Sequence, residues 1–172
     1  DVIKALSALK GGGALTLGVS NNPESELAGS ADWHLHQQAG VEKAVAATKT
    51  MSSQMFSLGL LVAHWSGDSE LLAALEAVPA AMQSLLDSGE GAFGLDGATD
   101  VWTLGRGLNQ GVATEIALKL KETCYLGTHA YSSAEVLHGP VAALDADARV
   151  VLFALDDATV APNVSTARRL LE

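Results

Sequence analysis

The stretch Asp100-Val101-Trp102-Thr103-Leu104-Gly105-Arg106-Gly107-Leu108-Asn109-Gln110 decides how this 172-residue chain folds. Five residues of strand character run into a glycine turn, and beyond it the apolar spacing becomes that of a helix over 109–125. Strand, turn and helix in that order form one unit of an α/β fold with a parallel sheet. In such sheets ligands bind outside the carboxyl ends of the strands, where helix N-termini offer free N–H groups, so a sugar or phosphate group could dock there. Gln110 stands where a dinucleotide fingerprint would need its third glycine, which excludes a nicotinamide or flavin site.

The helix that follows carries Glu115, Lys119 and Glu122 at i, i+4 and i+7, a single stripe along one side. Ala113, Ile116, Ala117, Leu118 and Leu120 cover most of the remaining circumference, so the stripe faces water or a ligand. Acid–lysine pairs at this spacing are also ordinary surface features, worth only about 0.2–0.5 kcal/mol. Sixteen residues beyond Glu122 comes His138-Gly139-Pro140, a tight turn in which the histidine could serve as a cap. The residues alone leave a solvated face and an enzyme site both open.

Working outward, Asp1 to Leu9 reads as a helix stopped by Lys10-Gly11-Gly12-Gly13. Ala14 to Val19 reads as a buried strand and Asp32 to His36 as a second, so the glycine triplet precedes its strand and is a linker, not a phosphate loop. Glu42 to Trp65 and Glu70 to Leu86 read as two long helices. The apolar run Met55 to Trp65 within the first is a core helix, well short of the ~20 residues of a membrane span. Asp87-Ser88-Gly89-Glu90-Gly91-Ala92 opens a linker over 87–99 that separates a domain at 1–86 from one at 100–172. A short helix near 131–136, a strand at 150–155 and a helix at 166–172 complete the second. Asp32, His34 and His36 alternate and would share one strand face, passable geometry for zinc, but no fourth ligand lies at recognisable spacing and no metal is expected.

The net charge of −10 argues against a polyanion-binding surface, and Lys and Arg form no run longer than two, so neither nucleic acid nor membrane is an expected partner. The single cysteine, Cys124, excludes an internal disulfide, suits a reducing cytoplasm, and reads as a packing residue beside Tyr125 and Leu126. No secretory leader is recognisable, and a cytoplasmic location is expected.

Gly105-Arg106-Gly107, Ala113-x-Glu115-x-Ala117-Leu118-Lys119-Leu120-Lys121-Glu122 and Ala134-Glu135-x-Leu137-His138-Gly139-Pro140 together resemble the second sugar isomerase (SIS) domain of the amino-sugar phosphate isomerase family. Ala39-Gly40-Val41-Glu42 followed by Val45-Ala46-Ala47-Thr48-Lys49-Thr50 is similar to the segment that closes the family's first SIS domain, and Leu17-Gly18-Val19-Ser20-Asn21 resembles the strand before it. The resemblance implies two tandem SIS domains, each a Rossmann-like three-layer parallel sheet flanked by helices. Both would be incomplete, because the family's Ser/Thr-rich phosphate loop and its catalytic tail have no counterpart in this sequence.

The same resemblance implies an aldose–ketose isomerase that needs no cofactor and acts on a hexose or hexosamine 6-phosphate. By position Glu122 is implied as the base that moves a proton between C1 and C2, Lys119 as a substrate contact, Glu115 as an acid that positions the sugar, and His138 as the ring-opening histidine. Val45, Ala47 and Thr48 would border the sugar. In relatives the histidine reaches into the partner subunit's site, which implies a homodimer with shared active sites. Ala47 stands where the amidotransferase pattern has serine, His129 where an acid is common, and Val136-Leu137 where leucine and lysine are frequent. These departures favour a stand-alone isomerase, deaminase or deglycase over the isomerase region of a glutamine–fructose-6-phosphate transaminase. A non-catalytic sugar-phosphate-binding SIS module is the alternative from another class.

Overall fold

The computed structural model describes residues 1–89 and 94–172. The chain divides into two compact units, Asp1–Glu90 and Gly91–Glu172. The expected linker falls partly on residues 90–93, outside the described residues.

The first unit runs α1 (Val2–Gly11), β1 (Leu17–Ser20), α2 (Glu26–Ser30), β2 (Trp33–His36), α3 (Lys49–Ser66) and α4 (Ser69–Ser88). β1 and β2 are parallel, registered from Leu17 opposite Trp33 to Ser20 opposite His36. Their amino ends are tied by Asp32, which accepts hydrogen bonds from the Thr16 N–H (2.9 Å) and hydroxyl (2.8 Å) and pairs with Lys10 of α1 at 2.9 Å. The Lys10 ammonium and then the Thr16 donors hold the Asp32 carboxyl at about 2, below its ordinary 3.8. α2 lies so close to β1 that a Cβ at Gly18 would meet Ala31 Cβ at 3.2 Å and the Leu27 carbonyl at 3.3 Å. α3 ends at Gly67, whose φ of 68° is the left-handed turn that glycine adopts without penalty, and Asp68 then caps α4 by accepting the Leu71 N–H.

Two expectations for this unit need correction. The helix expected from Glu42 begins only at Lys49, because Glu42 turns back to bond that helix's first N–H groups. The run Met55 to Trp65 is not a core helix: only Ala63 is buried, while Met55, Leu58, Val62 and Trp65 form an exposed apolar stripe at i, i+3, i+7 and i+10.

The second unit places β3 (Asp100–Gly105) between two parallel neighbours, β4 (Gly127–Ser132) and β5 (Arg149–Leu152), in the order β4-β3-β5. α5 (Leu108–Cys124) links β3 to β4, and α6 (Val160–Leu170) follows β5. Val101, Trp102, Thr103 and Leu104 are all buried, as a central strand covered on both faces requires. The Thr103 hydroxyl donates to the Ala113 carbonyl at 2.8 Å and the Thr128 hydroxyl to that of Ala117 at 2.9 Å, fixing α5 on one face. On the other face Trp102, Leu104 and Val136 form the core, with Leu137, Leu144, Leu152 and Leu170 packed around it. Trp102 also stacks on Tyr131 (centroids 5.4 Å apart) and meets the tilted ring of His129 (4.6 Å), and Asp100 accepts from the Trp102 indole and pairs with His129. The unit is thus three-layered, with α5 on one side of the sheet and the crossover at 133–148 and α6 on the other.

β4 itself was not expected. Its Gly-Thr-His-Ala-Tyr-Ser sequence has no apolar run, and its buried Thr128 and Ser132 are tolerated because their hydroxyls take part in hydrogen bonds. The short helix expected near 131–136 is a 3-10 turn at Glu135–His138, the strand expected at 150–155 is Arg149–Leu152, and the last helix starts at Val160, not Thr166. Cys124 is exposed, not packed.

Candidate active site

α5 brings the predicted stripe together. Lys119 Nζ lies 2.8 Å from Glu122 Oε2 and 3.4 Å from Glu115 Oε1. The lysine side chain is only 19% exposed, its stem lining a small apolar cleft of about 120 Å³ with Ile116, Leu120 and Val151. Its pKa is raised above the ordinary 10.5, first by the hydrogen bond to Glu122 and also by Glu115, against the opposing effect of burial. An ammonium has three N–H donors, and two are directed at these carboxylates, which leaves one for a ligand oxygen. Glu122 Oε1 accepts no hydrogen bond among the described residues, so half of that carboxylate is free to take a proton.

His138 is placed elsewhere. It ends the 3-10 turn Glu135–His138, is exposed, and makes no side-chain hydrogen bond or ion pair among the described residues. Val136 of the same turn is fully buried against Trp102 and Leu104, so the histidine belongs to the layer across the sheet from α5. It also follows the carboxyl end of β4, whereas Glu122 lies about 20 Å along α5 from Leu108, toward the sheet's amino end. Within one copy of this unit the acid stripe and the histidine do not meet.

In the first unit Val45, Ala47 and Thr48 lie in the segment 37–48, which has no regular structure and leaves the carboxyl end of β2. Val45 is 98% exposed. Residues that the sequence did not single out as positioning groups hold this segment. Asn21, just beyond β1, donates to the Gly40 carbonyl at 2.6 Å and accepts the Ala39 N–H at 2.9 Å. Glu42 accepts the backbone N–H groups of Thr48 (3.0 Å), Lys49 (2.8 Å) and Thr50 (3.0 Å) and the Thr50 hydroxyl. Lys49 Nζ returns a bond to the Val41 carbonyl at 2.7 Å. The Thr50 hydroxyl and then these N–H groups bring the Glu42 carboxyl down to about 2 from its ordinary 4.5. Only an acid upstream of Thr48-Lys49-Thr50 marked this in sequence, and the helix-favouring Ala44-Val45-Ala46-Ala47 concealed it.

The zinc geometry weighed for Asp32, His34 and His36 is not formed. Asp32 is committed to Lys10 and Thr16, His34 Nε2 to the Ser20 hydroxyl at 2.9 Å, and His36 Nε2 to the Asn21 carbonyl at 3.1 Å. Among the described residues no group of three or more His, Cys, Asp or Glu is placed to hold a metal ion. No described helix is long and apolar enough to cross a membrane.

Residues 1–64 match the SIS domain family. Over 182 aligned positions the chain is 36% identical to the glutamine–fructose-6-phosphate aminotransferase (isomerizing) of Gloeobacter violaceus, using 98% of this chain and 30% of that protein. A solved structure from Silicibacter pomeroyi DSS-3, named as a phosphosugar isomerase, superposes with a TM-score of 0.91 at 35% identity, over 98% of this chain and 52% of that one. The C-terminal domain of the glucosamine–fructose-6-phosphate aminotransferase from Francisella tularensis superposes with a TM-score of 0.83 at 26% identity, again over 98% of this chain and 52% of that one. The chain therefore spans about half the length of these solved structures and under a third of the curated relative.

Proposed function

We propose that this chain, whose residues 1–64 match the SIS domain family and whose fold superposes on that of a phosphosugar isomerase, forms part of an enzyme that interconverts aldose and ketose forms of a hexose or hexosamine 6-phosphate, coupled to deamination or amine transfer. The observation that carries this reading is the arrangement on α5: a lysine held between two carboxylates, with one carboxylate oxygen unengaged. Glu122 takes the proton from C2 of the open-chain aldose. The C–H electron pair moves into a C1–C2 double bond as the C1=O π pair moves onto O1, giving an enediolate. A proton passes from the C2 substituent to O1, and the same carboxylate returns its proton to C1 as the double bond forms at C2 to oxygen, or to nitrogen in an amino sugar, whose imine water then cleaves to the ketone and ammonia. The third N–H of Lys119 faces the oxygen on which negative charge develops. Glu115 holds Lys119 in place and helps to position the sugar. For the first unit, taken by itself, the same family reading assigns Val45, Ala47 and Thr48 as sugar contacts.

His138 opens the sugar ring. Its place across the sheet from Glu122 supports a homodimer in which each histidine serves the other copy's site. Proton NMR in deuterium oxide with glucosamine 6-phosphate tests the reading. Deuterium entering C2 with fructose 6-phosphate forming is the expected result. Tight binding with no exchange would instead make the protein a non-catalytic sugar-phosphate-binding module, a role in which the Lys119 ion pairs are purely structural.

A further inference from the structure

The first N–H groups of a helix have no partner within it and carry a partial positive charge, so helices are normally capped by a side chain at the residue just before them. Thr48 occupies that place ahead of α3 and is of a type suited to it, yet its side chain does not cap the helix. Glu42, six residues upstream, does so with both carboxylate oxygens. A cap reaching from that distance loops out the residues between. Lys49 closes the same loop from the other side through the Val41 carbonyl, and Asn21 fixes Ala39 and Gly40. Gln38, at the foot of the loop, sits at a φ of 53°, a conformation costly for a residue with a side chain and one that surrounding contacts must impose. Only 43–47 hang free between these clamps, and they contain Val45 and Ala47.

Capping α3 alone would require none of this, since Thr48 is already in place. We propose that Glu42 is a positioning residue, whose carboxylate fixes the segment Val41–Thr48 in the one conformation that presents Val45 and Ala47 to the sugar. This rests on the functional reading above, and it adds a residue that touches no substrate.

The test compares Glu42→Ala and Glu42→Gln with the unaltered protein in steady-state isomerisation of glucosamine 6-phosphate, alongside amide hydrogen exchange. Glu42→Gln keeps shape and one acceptor oxygen and guards against loss of folding in the alanine variant. A misplaced sugar-binding loop is expected to raise KM by about tenfold or more in Glu42→Ala, less in Glu42→Gln, with kcat within about threefold and faster exchange confined to 43–50. An unchanged KM in folded variants, with only a lowered melting temperature, would overturn the proposal and leave the isomerase reading standing. An unaltered protein that neither binds nor turns over hexose 6-phosphates would take both down.

Discussion

Lys119 carries one positive charge between two negative ones, and that ratio decides how the α5 site responds to substitution. Glu122→Gln keeps the shape of the side chain and removes both the base and the main cause of the raised lysine pKa. It is expected to lower kcat by about 10²–10⁴-fold while KM stays within about threefold, read by initial rates across substrate concentration. Because the folded-state pKa of Lys119 is raised, the stability of its pairing is fully present below 10.5 and is lost only as pH rises through the raised value. The lysine is therefore charged throughout the neutral range. This stripe was legible in the sequence because helix geometry brings i, i+3 and i+4 together whatever else the chain does. Glu42 was not, because its partners are set by a backbone reversal that no spacing rule encodes.

The elements show where local preference lost to specific bonds. Ala44-Val45-Ala46-Ala47 favours helix, but three N–H groups gathered on one carboxylate hold the chain out of it. Glu42 and Asp32 both titrate near 2 in the fold, so the stability they supply is present above their ordinary values of 4.5 and 3.8 and is lost as pH falls from there toward 2. On acid titration the amide resonances of Thr48 to Thr50 are expected to shift in that window, and in Glu42→Gln that shift should be absent. β3 and α5 were readable because an apolar run entering a glycine turn leaves few alternatives. β4 was hidden because its buried hydroxyls look like loop chemistry. The turn between β3 and α5 is sterically closed: a Cβ at Gly105 would stand 2.2 Å from the Asn109 carbonyl oxygen. Gly105→Ala must displace backbone and is expected to destabilise the second unit by roughly 1–3 kcal/mol, measured as a lower urea midpoint.

At the scale of the whole molecule, the parallel α/β class followed from the order of strands, turns and helices. What spacing could not reveal was that Glu122 and His138, sixteen residues apart in sequence, lie in opposite layers of one unit. A site using both then needs two copies. Mixing inactive Glu122→Gln with inactive His138→Ala tests this with the sugar supplied in its closed-ring form. Random exchange makes half the dimers hybrid, each with one intact site of two, so about a quarter of wild-type activity should return. No recovery on subunit exchange would mean that the two residues do not complete one another's sites.

The tryptophans are distributed so that the two units give separate optical signals. Trp102, 2% exposed and in ring contact with His129 and Tyr131 of β4, is the only indole of the second unit, while Trp33 and Trp65 of the first are 57% and 84% exposed. A water-soluble quencher such as iodide therefore silences the first unit's emission and spares the second's. During denaturation the blue-edge light follows the β4-β3-β5 sheet alone, so the melting of each unit can be timed in the unlabelled protein.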